Sequence, residues 1–149
     1  MLNGIINVDK NLIFNDEVII QPGTKFLIKP GKHIVFKKKV DAQGTTTEPI
    51  FFQKFDKINS LPWGSVAILG KKTMGSTFNN VIFSGGSGGY FNQYKFSSMF
   101  SVHNTKNIKI LNSQFLLNEL FDDTIHVIYS SDILFDNIKV NNAFGDAID

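Results

Sequence analysis

The feature that most constrains this chain is that it repeats itself. Residues 101–115, SVHNTKNIKILNSQF, align without gaps on residues 126–140, HVIYSSDILFDNIKV, at a shift of 25. The alignment pairs Val102 with Val127, Asn107 with Asp132, Ile108 with Ile133, Ile110 with Phe135, Asn112 with Asn137 and Phe115 with Val140. Upstream, FNNVIF (78–83) carries the pattern of ILNSQF (110–115) and sets Asn80 with Asn112. Downstream, DDTIH (122–126) matches GDAID (145–149) at a shift of 23. Near the start, QPGTKFLI and KPGKHIVF repeat a turn-then-strand unit at a shift of 8, which fits successive strands within one repeat. Self-similarity at a near-constant period marks a chain whose units stack on one another.

Composition says what is stacked. Apolar runs of three to five residues recur from end to end, punctuated by Gly, Pro, Asn and Asp. Isoleucine occurs 18 times, asparagine and phenylalanine 15 times each, and alanine only 4 times, a mix that favours strands and tight turns over helices. No stretch keeps a 3.6-residue period over three turns. The one helical expectation is a single turn over Leu116–Phe121. Three short strands fit each unit of 22–25 residues, which predicts an all-β parallel β-solenoid filling residues 1–149 as one domain. Rungs stack at about 4.8 Å, so equivalent side chains form columns. The interior columns are expected to be apolar, with Val102 on Val127 and Ile108 on Ile133. Asn80, Asn112 and Asn137 are expected to form a ladder of buried turn amides.

Several function classes lose support. There is no cysteine, hence no disulfide framework and no cysteine zinc site. No apolar run is long enough for a membrane span, and the first residues do not read as a signal peptide. All 15 basic residues are lysine, and without arginine the commonest base-reading contact is lost, so no nucleic-acid partner is expected. Charge is uneven. Residues 1–110 hold 14 Lys and 6 acids, while residues 111–149 hold 1 Lys and 7 acids. The run Lys37-Lys38-Lys39 reads either as a solvated edge that discourages strand pairing or as a surface for an acidic polysaccharide.

The NIKILNSQF and DILFDNIKV repeats, the PWGS segment at 62–65 and the terminal GDAID resemble the right-handed parallel β-helix of the pectate-lyase-like superfamily, over residues 18–149. The DD-x-I-H…Y-S segment followed by DAID is also similar to β-helix modules of spore-coat-H-like bacterial proteins. The resemblance implies a single-stranded right-handed parallel β-helix of about six rungs and an extracellular or cell-surface setting. The function it implies is carbohydrate-associated: part of a lyase or epimerase acting on acidic polysaccharide, or, alternatively, a non-catalytic scaffold for structure or surface assembly. Nothing after GDAID reads as a cap. The chain is therefore expected to be a fragment of a longer solenoid, or to self-associate through a C-terminal rung that exposes Phe144 and Ile148.

The candidate site follows from the repeat register. It places Ser98, Asp123 and Asp146 in one column and Ser101, His126 and Asp149 in another, with Asp122 beside the first. These acids read as turn residues that bond their own backbone, as a divalent-ion site, or as catalytic groups. In the lyases that the chain resembles, such acids hold Ca2+ and a basic residue removes a proton. Lys106, Lys109 and Lys139 are the lysines expected near enough to serve. His126 and Asp149 form a candidate general-base pair, whereas His33 and His103 lack visible companions. In the Gly-rich segment 85–96, Tyr90 and Tyr94 are candidate sugar-stacking aromatics; the alternative is a loop whose aromatics cover the solenoid flank. Trp63 is expected to pack rather than bind. No catalytic residue is assigned, and no G-x-S-x-G or phosphate-loop pattern is present.

Overall fold

The computed structural model describes residues 1–58 and 60–149. The chain cycles through three short strands and begins again. The first cycle holds β1 (Ile5–Val8), β2 (Leu12–Phe14) and β3 (Val18–Ile20), and the second holds β4 (Lys25–Ile28), β5 (Ile34–Phe36) and β6 (Val40–Gln43). The third holds β7 (Ile50–Lys54), β8 (Val66–Leu69) and β9 (Thr77–Asn79). Next come β10 (Val81–Ser84), a hairpin of β11 (Gly89–Phe91) and β12 (Tyr94–Phe96), then β13 (Ser98–His103) and β14 (Lys106–Leu111). After them follow β15 (Gln114–Leu116), β16 (Asp123–Ile128) and β17 (Ser131–Asp136), with β18 (Lys139–Asn141) opening another cycle.

Each position in the cycle builds its own parallel sheet. The first sheet is β1-β4-β7-β10-β15-β18, the second is β2-β5-β8-β13-β16 and the third is β3-β6-β9-β14-β17. Among the described residues only the hairpin pairs antiparallel. The stacked parallel sheets fit a β-solenoid. The expected columns are in register: Val102 on Val127, Ile108 on Ile133, Ile110 on Phe135 and Phe115 on Val140. Among the described residues no helix is long and apolar enough to cross a membrane.

The core contains a column that the repeats only hint at. Phe26, Phe52, Phe83 and Phe115 stack along the first sheet, with centroids 4.6, 5.0 and 4.7 Å apart and planes within 7° of parallel. Here the strand repeat of about 4.8 Å imposes the stacking. Phe78 and Phe100 meet Phe83 at an angle from the other two sheets and fill the centre.

The corners are also columns. A residue in the left-handed region reverses the chain, and it recurs in register: Asn80, Asn112 and Asn137 (φ 51°, 48° and 52°) between the third and first sheets. Gly70, Asn104 and Tyr129 (φ 93°, 53° and 50°) do the same between the second and third sheets. Glycine and asparagine adopt this conformation readily, whereas a bulky side chain is uncommon there. Tyr129 is such an exception.

Four expectations need correction. Leu116–Phe121 is not helical: Leu116 ends β15 and Leu117 reverses the chain at φ 59°. The single helical turn among the described residues is a 3-10 turn at Lys71–Thr73. The asparagine ladder forms, but on the outer surface, with Asn112 and Asn137 exposed. Its link to the next rung runs through Asn79 rather than Asn80: Asn137 Nδ2 donates to Asn112 Oδ1 (2.8 Å) and Asn112 Nδ2 to Asn79 Oδ1 (2.9 Å). The period is not constant either. Phe115 lies 25 residues before its partner Val140, but Phe83 lies 32 before Phe115, because the middle cycles carry insertions. Finally, Lys37–Lys39 occupy the corner between β5 and β6, not a strand edge. Phe144 and Ile148 are exposed, as expected, although Ile148 bridges back to Ile125.

Candidate functional site

The hairpin creates the site's main relief. Its two glycines at the base are sterically required: a Cβ on Gly86 would lie 2.5 Å from the Trp63 ring, and one on Gly88 would lie 2.3 Å from the Phe96 carbonyl oxygen. Trp63 packs, as expected, and donates from Nε1 to the Ser84 carbonyl (2.9 Å). The hairpin lies on the outer face of the second sheet. Phe91 and Phe96 cover Val35 and Ala67, forming a second small core. That explains why β5 and β8 lack the alternating burial of a half-exposed strand.

Two histidines that looked isolated hold this roof. His33 is buried, its Nδ1 accepts the Ser65 N–H (2.9 Å), and its ring meets Phe91 and Phe96. Burial pushes its pKa down, assisted by Lys32 and opposed by a hydrogen bond to the Tyr90 backbone. His103 lies edge-on to Phe96 at 5.4 Å. Burial, and secondarily the neighbouring His126, lower its pKa to about 4, so it is neutral at pH 7. Its Nε2 is buried without a partner among the described residues.

Between the hairpin and the corner after the second sheet runs a groove of ≈ 780 Å³. Its floor is the register column Leu69, His103 and Ile128. Tyr94 forms one wall. Lys37, Lys38, Lys71 and Lys72 form the other, and Asn104 and Tyr129 lie beyond them. Lys38 is held by Asp16 (3.2 Å). A smaller depression continues past Tyr129 to Lys106. Of the two candidate tyrosines, Tyr94 lines this groove; Tyr90 is 72% exposed and does not. Tyr129 was not singled out from the sequence. It is 86% exposed and holds the strained corner position described above.

The acid column is partly assembled. Ser98 pairs with Asp123 and Ser101 with His126, as the repeats require. Asp149 is pinned across from His126 by backbone bonds to Ile125 and Val127 (2.9 and 2.8 Å). One ligand atom each from Asp123, His126 and Asp149 lies within 4.8 Å of the others. Asp122 and Asp146 are exposed and outside this group. Ser97, unrecognised in the sequence, completes the cluster: its hydroxyl donates to Asp123 Oδ2 (3.1 Å) and is in short contact with His126 Nδ1. Only knowledge of where the hairpin ends would have singled it out among so many serines. Burial raises the Asp123 pKa, and Asp149 and Asp122 add to this against the hydrogen bond from Ser97 and the charge of His126.

These donors do not fit calcium, which takes six to eight oxygens. The cluster offers two carboxylates and one imidazole nitrogen, and His126 Nδ1 is already in contact with Ser97. The lysines expected as elimination bases stand on other sheets. Lys106 and Lys109 are on β14 in the third sheet and Lys139 is on β18 in the first, whereas Asp123 and His126 are on β16 in the second. Comparison with protein-family models, with curated proteins and with solved structures returned no match.

Proposed function

We propose that this chain is a right-handed parallel β-helix of about six rungs that binds an acidic polysaccharide in the lysine-lined groove. The observation that carries the reading is the pairing of four lysines with two tyrosines along one groove parallel to the stack of rungs. Clustered ammonium groups attract a polyanion, and their attraction is focused by the low-dielectric walls. Tyrosine rings offer an apolar face to a sugar and a hydroxyl to its oxygens. A groove that crosses successive rungs suits an extended chain rather than a compact ligand.

Tyr129 supports the same reading. Asn104 and Gly70 fill the equivalent corner without strain, yet here a large ring is held out to solvent at positive φ. Strained residues of this kind concentrate at binding and active sites. The reading is binding rather than cleavage, because the acid–imidazole cluster offers few oxygens for calcium and the expected lysines stand on other sheets.

Titration with polygalacturonate and with a neutral polysaccharide tests it. Binding of the polyanion that is weakened by salt and by Lys71→Ala with Lys72→Ala is the expected result, whereas any binding of the neutral polymer should be indifferent to both. Polyanion binding that is indifferent to salt or to the lysine changes overturns it. Appearance of unsaturated, ultraviolet-absorbing product would reassign the protein as a lyase.

A further inference from the structure

We infer that a second groove, at the corner between the third and first sheets, binds an uncharged glycan. It has a volume of ≈ 420 Å³ and shares no lining residue with the lysine groove. No charged side chain lines it. Its floor combines the amides of Asn112, Asn137 and Gln114 with the aliphatic side chain of Ile82, and the loop at 44–49 overhangs it through Thr46 and Pro49.

The overhang is a consequence of the repeat. At this corner the later cycles turn in one or two residues, as at Asn80 between β9 and β10. The loop after β6 instead takes six residues and projects beside a flat surface. It is internally braced: Thr45 Oγ1 accepts the Glu48 N–H (2.9 Å), and the Thr45 N–H donates to the Glu48 carbonyl (3.1 Å). A braced wall is positioned before a ligand arrives, which reduces the ordering cost of binding.

The amides are braced as well, and all in one direction. Asn137 donates to Asn112, Asn112 to Asn79, Asn79 to Gln43 (3.2 Å), and Gln43 to the Asp41 carboxylate (2.8 Å). Asn112 and Asn137 each give one N–H to the ladder and keep the second for a ligand. Aligned hydrogen bonds polarise one another, so the Asn137 oxygen, at the acceptor end, is a strengthened acceptor. Thr46 and Gln114 have no side-chain partner among the described residues. Fixed planar amides and a hydroxyl match sugar hydroxyls, and Ile82 and Pro49 match the C–H face of a ring. The lining carries no charge of its own, and the charges around it are of both signs, with Glu48 beside Pro49, Asp136 beside Asn137 and Lys139 in register with Gln114, so no cluster of cations selects a polyanion as the lysine groove does.

The test is an NMR titration of the labelled full chain with xylohexaose, cellohexaose and mannohexaose, alongside polygalacturonate hexamer. At least one neutral hexasaccharide is expected to shift the amide resonances of Asn112, Gln114 and Thr46 at roughly millimolar affinity. Thr46→Val with Gln114→Leu, both outside the ladder, should weaken that binding at least about tenfold (~1.4 kcal/mol). Lys71→Ala with Lys72→Ala should leave it unchanged, which separates this site from the lysine groove. No shift with any neutral hexasaccharide, a shift confined to the lysine groove, or binding indifferent to the Thr46 and Gln114 changes would overturn the inference.

Discussion

Tyr129→Asn is expected to make the protein more stable and a poorer binder. Tyr129 sits at φ 50° in register with Asn104 at φ 53°, so the backbone already accepts asparagine in this geometry one cycle earlier. The left-handed conformation costs an ordinary L-residue roughly 1–2 kcal/mol, and asparagine less. Little packing opposes that gain, because the tyrosine is 86% exposed and the area it buries is worth a few tenths of a kcal/mol at about 25 cal/mol per Å². The net expectation is a gain of about 0.5–1 kcal/mol. For a domain of this size that is a rise of roughly 1–4 °C in melting temperature. Urea unfolding by fluorescence and circular dichroism measures it, and titration with polygalacturonate measures the accompanying loss of affinity. A destabilised variant would refute the strain argument. A stabilised variant that binds as well as the parent would remove Tyr129 from the site.

Acid should destabilise the fold before its carboxylates titrate. His33 and His103 have folded pKa values below their unfolded value near 6.5, so between that pH and their folded values the unfolded chain holds protons the native state refuses. Each lowers stability by up to about 1.4 kcal/mol per pH unit as pH falls below 6.5, less for the partly solvated His103, and urea midpoints that rise over this window would contradict it. Asp123 has a raised pKa, so its ionised form weakens the fold at pH 7 and the penalty fades as pH falls through that pKa. Asp123→Asn should therefore raise the melting temperature at pH 7 and lose its advantage in acid; a loss of stability at pH 7 would show that Ser97 and His126 depend on the charge. Phe83→Ala opens the stacked column between Phe52 and Phe115 and should cost about 3–5 kcal/mol in chemical unfolding, where a cost below 1 kcal/mol would mean that the column collapses freely.

The parts of the fold legible in the sequence were those that repeat. Val102 over Val127 and Ile108 over Ile133 could be read because both rungs carry the same apolar alternation at one spacing, and a one-residue slip would turn every side chain to the wrong face. The pairing of Ser98 with Asp123 and Ser101 with His126 followed from the same register. What escaped was what the register does not carry. The asparagines looked buried because the alignment fixes position along the strand, not the face of a corner residue. Ser97 and Tyr129 escaped for a related reason: one sits where an insertion rejoins the repeat, the other where the repeat calls for glycine or asparagine. His33 and His103 seemed alone because their partners, Phe91 and Phe96, arrive from a hairpin outside the period.

That division between repeat and insertion also locates the chemistry. A stacked rung presents the same few surfaces to solvent as its neighbours, so a groove needs something that breaks the stack. Both grooves arise in this way. The hairpin after β10 and the 3-10 turn at Lys71–Thr73 wall the lysine groove, and the loop after β6 overhangs the amide groove. The interior columns pass beneath all three without interruption: Phe52 stacks on Phe83 and Phe83 on Phe115 although 31 and 32 residues separate the pairs. Closing a longer loop costs only slightly more entropy than closing a short one, so the core tolerates insertions that the surface exploits. In a chain of this kind the residues that depart from the period are therefore the ones to mutate for binding, and the residues that keep it are the ones to mutate for stability.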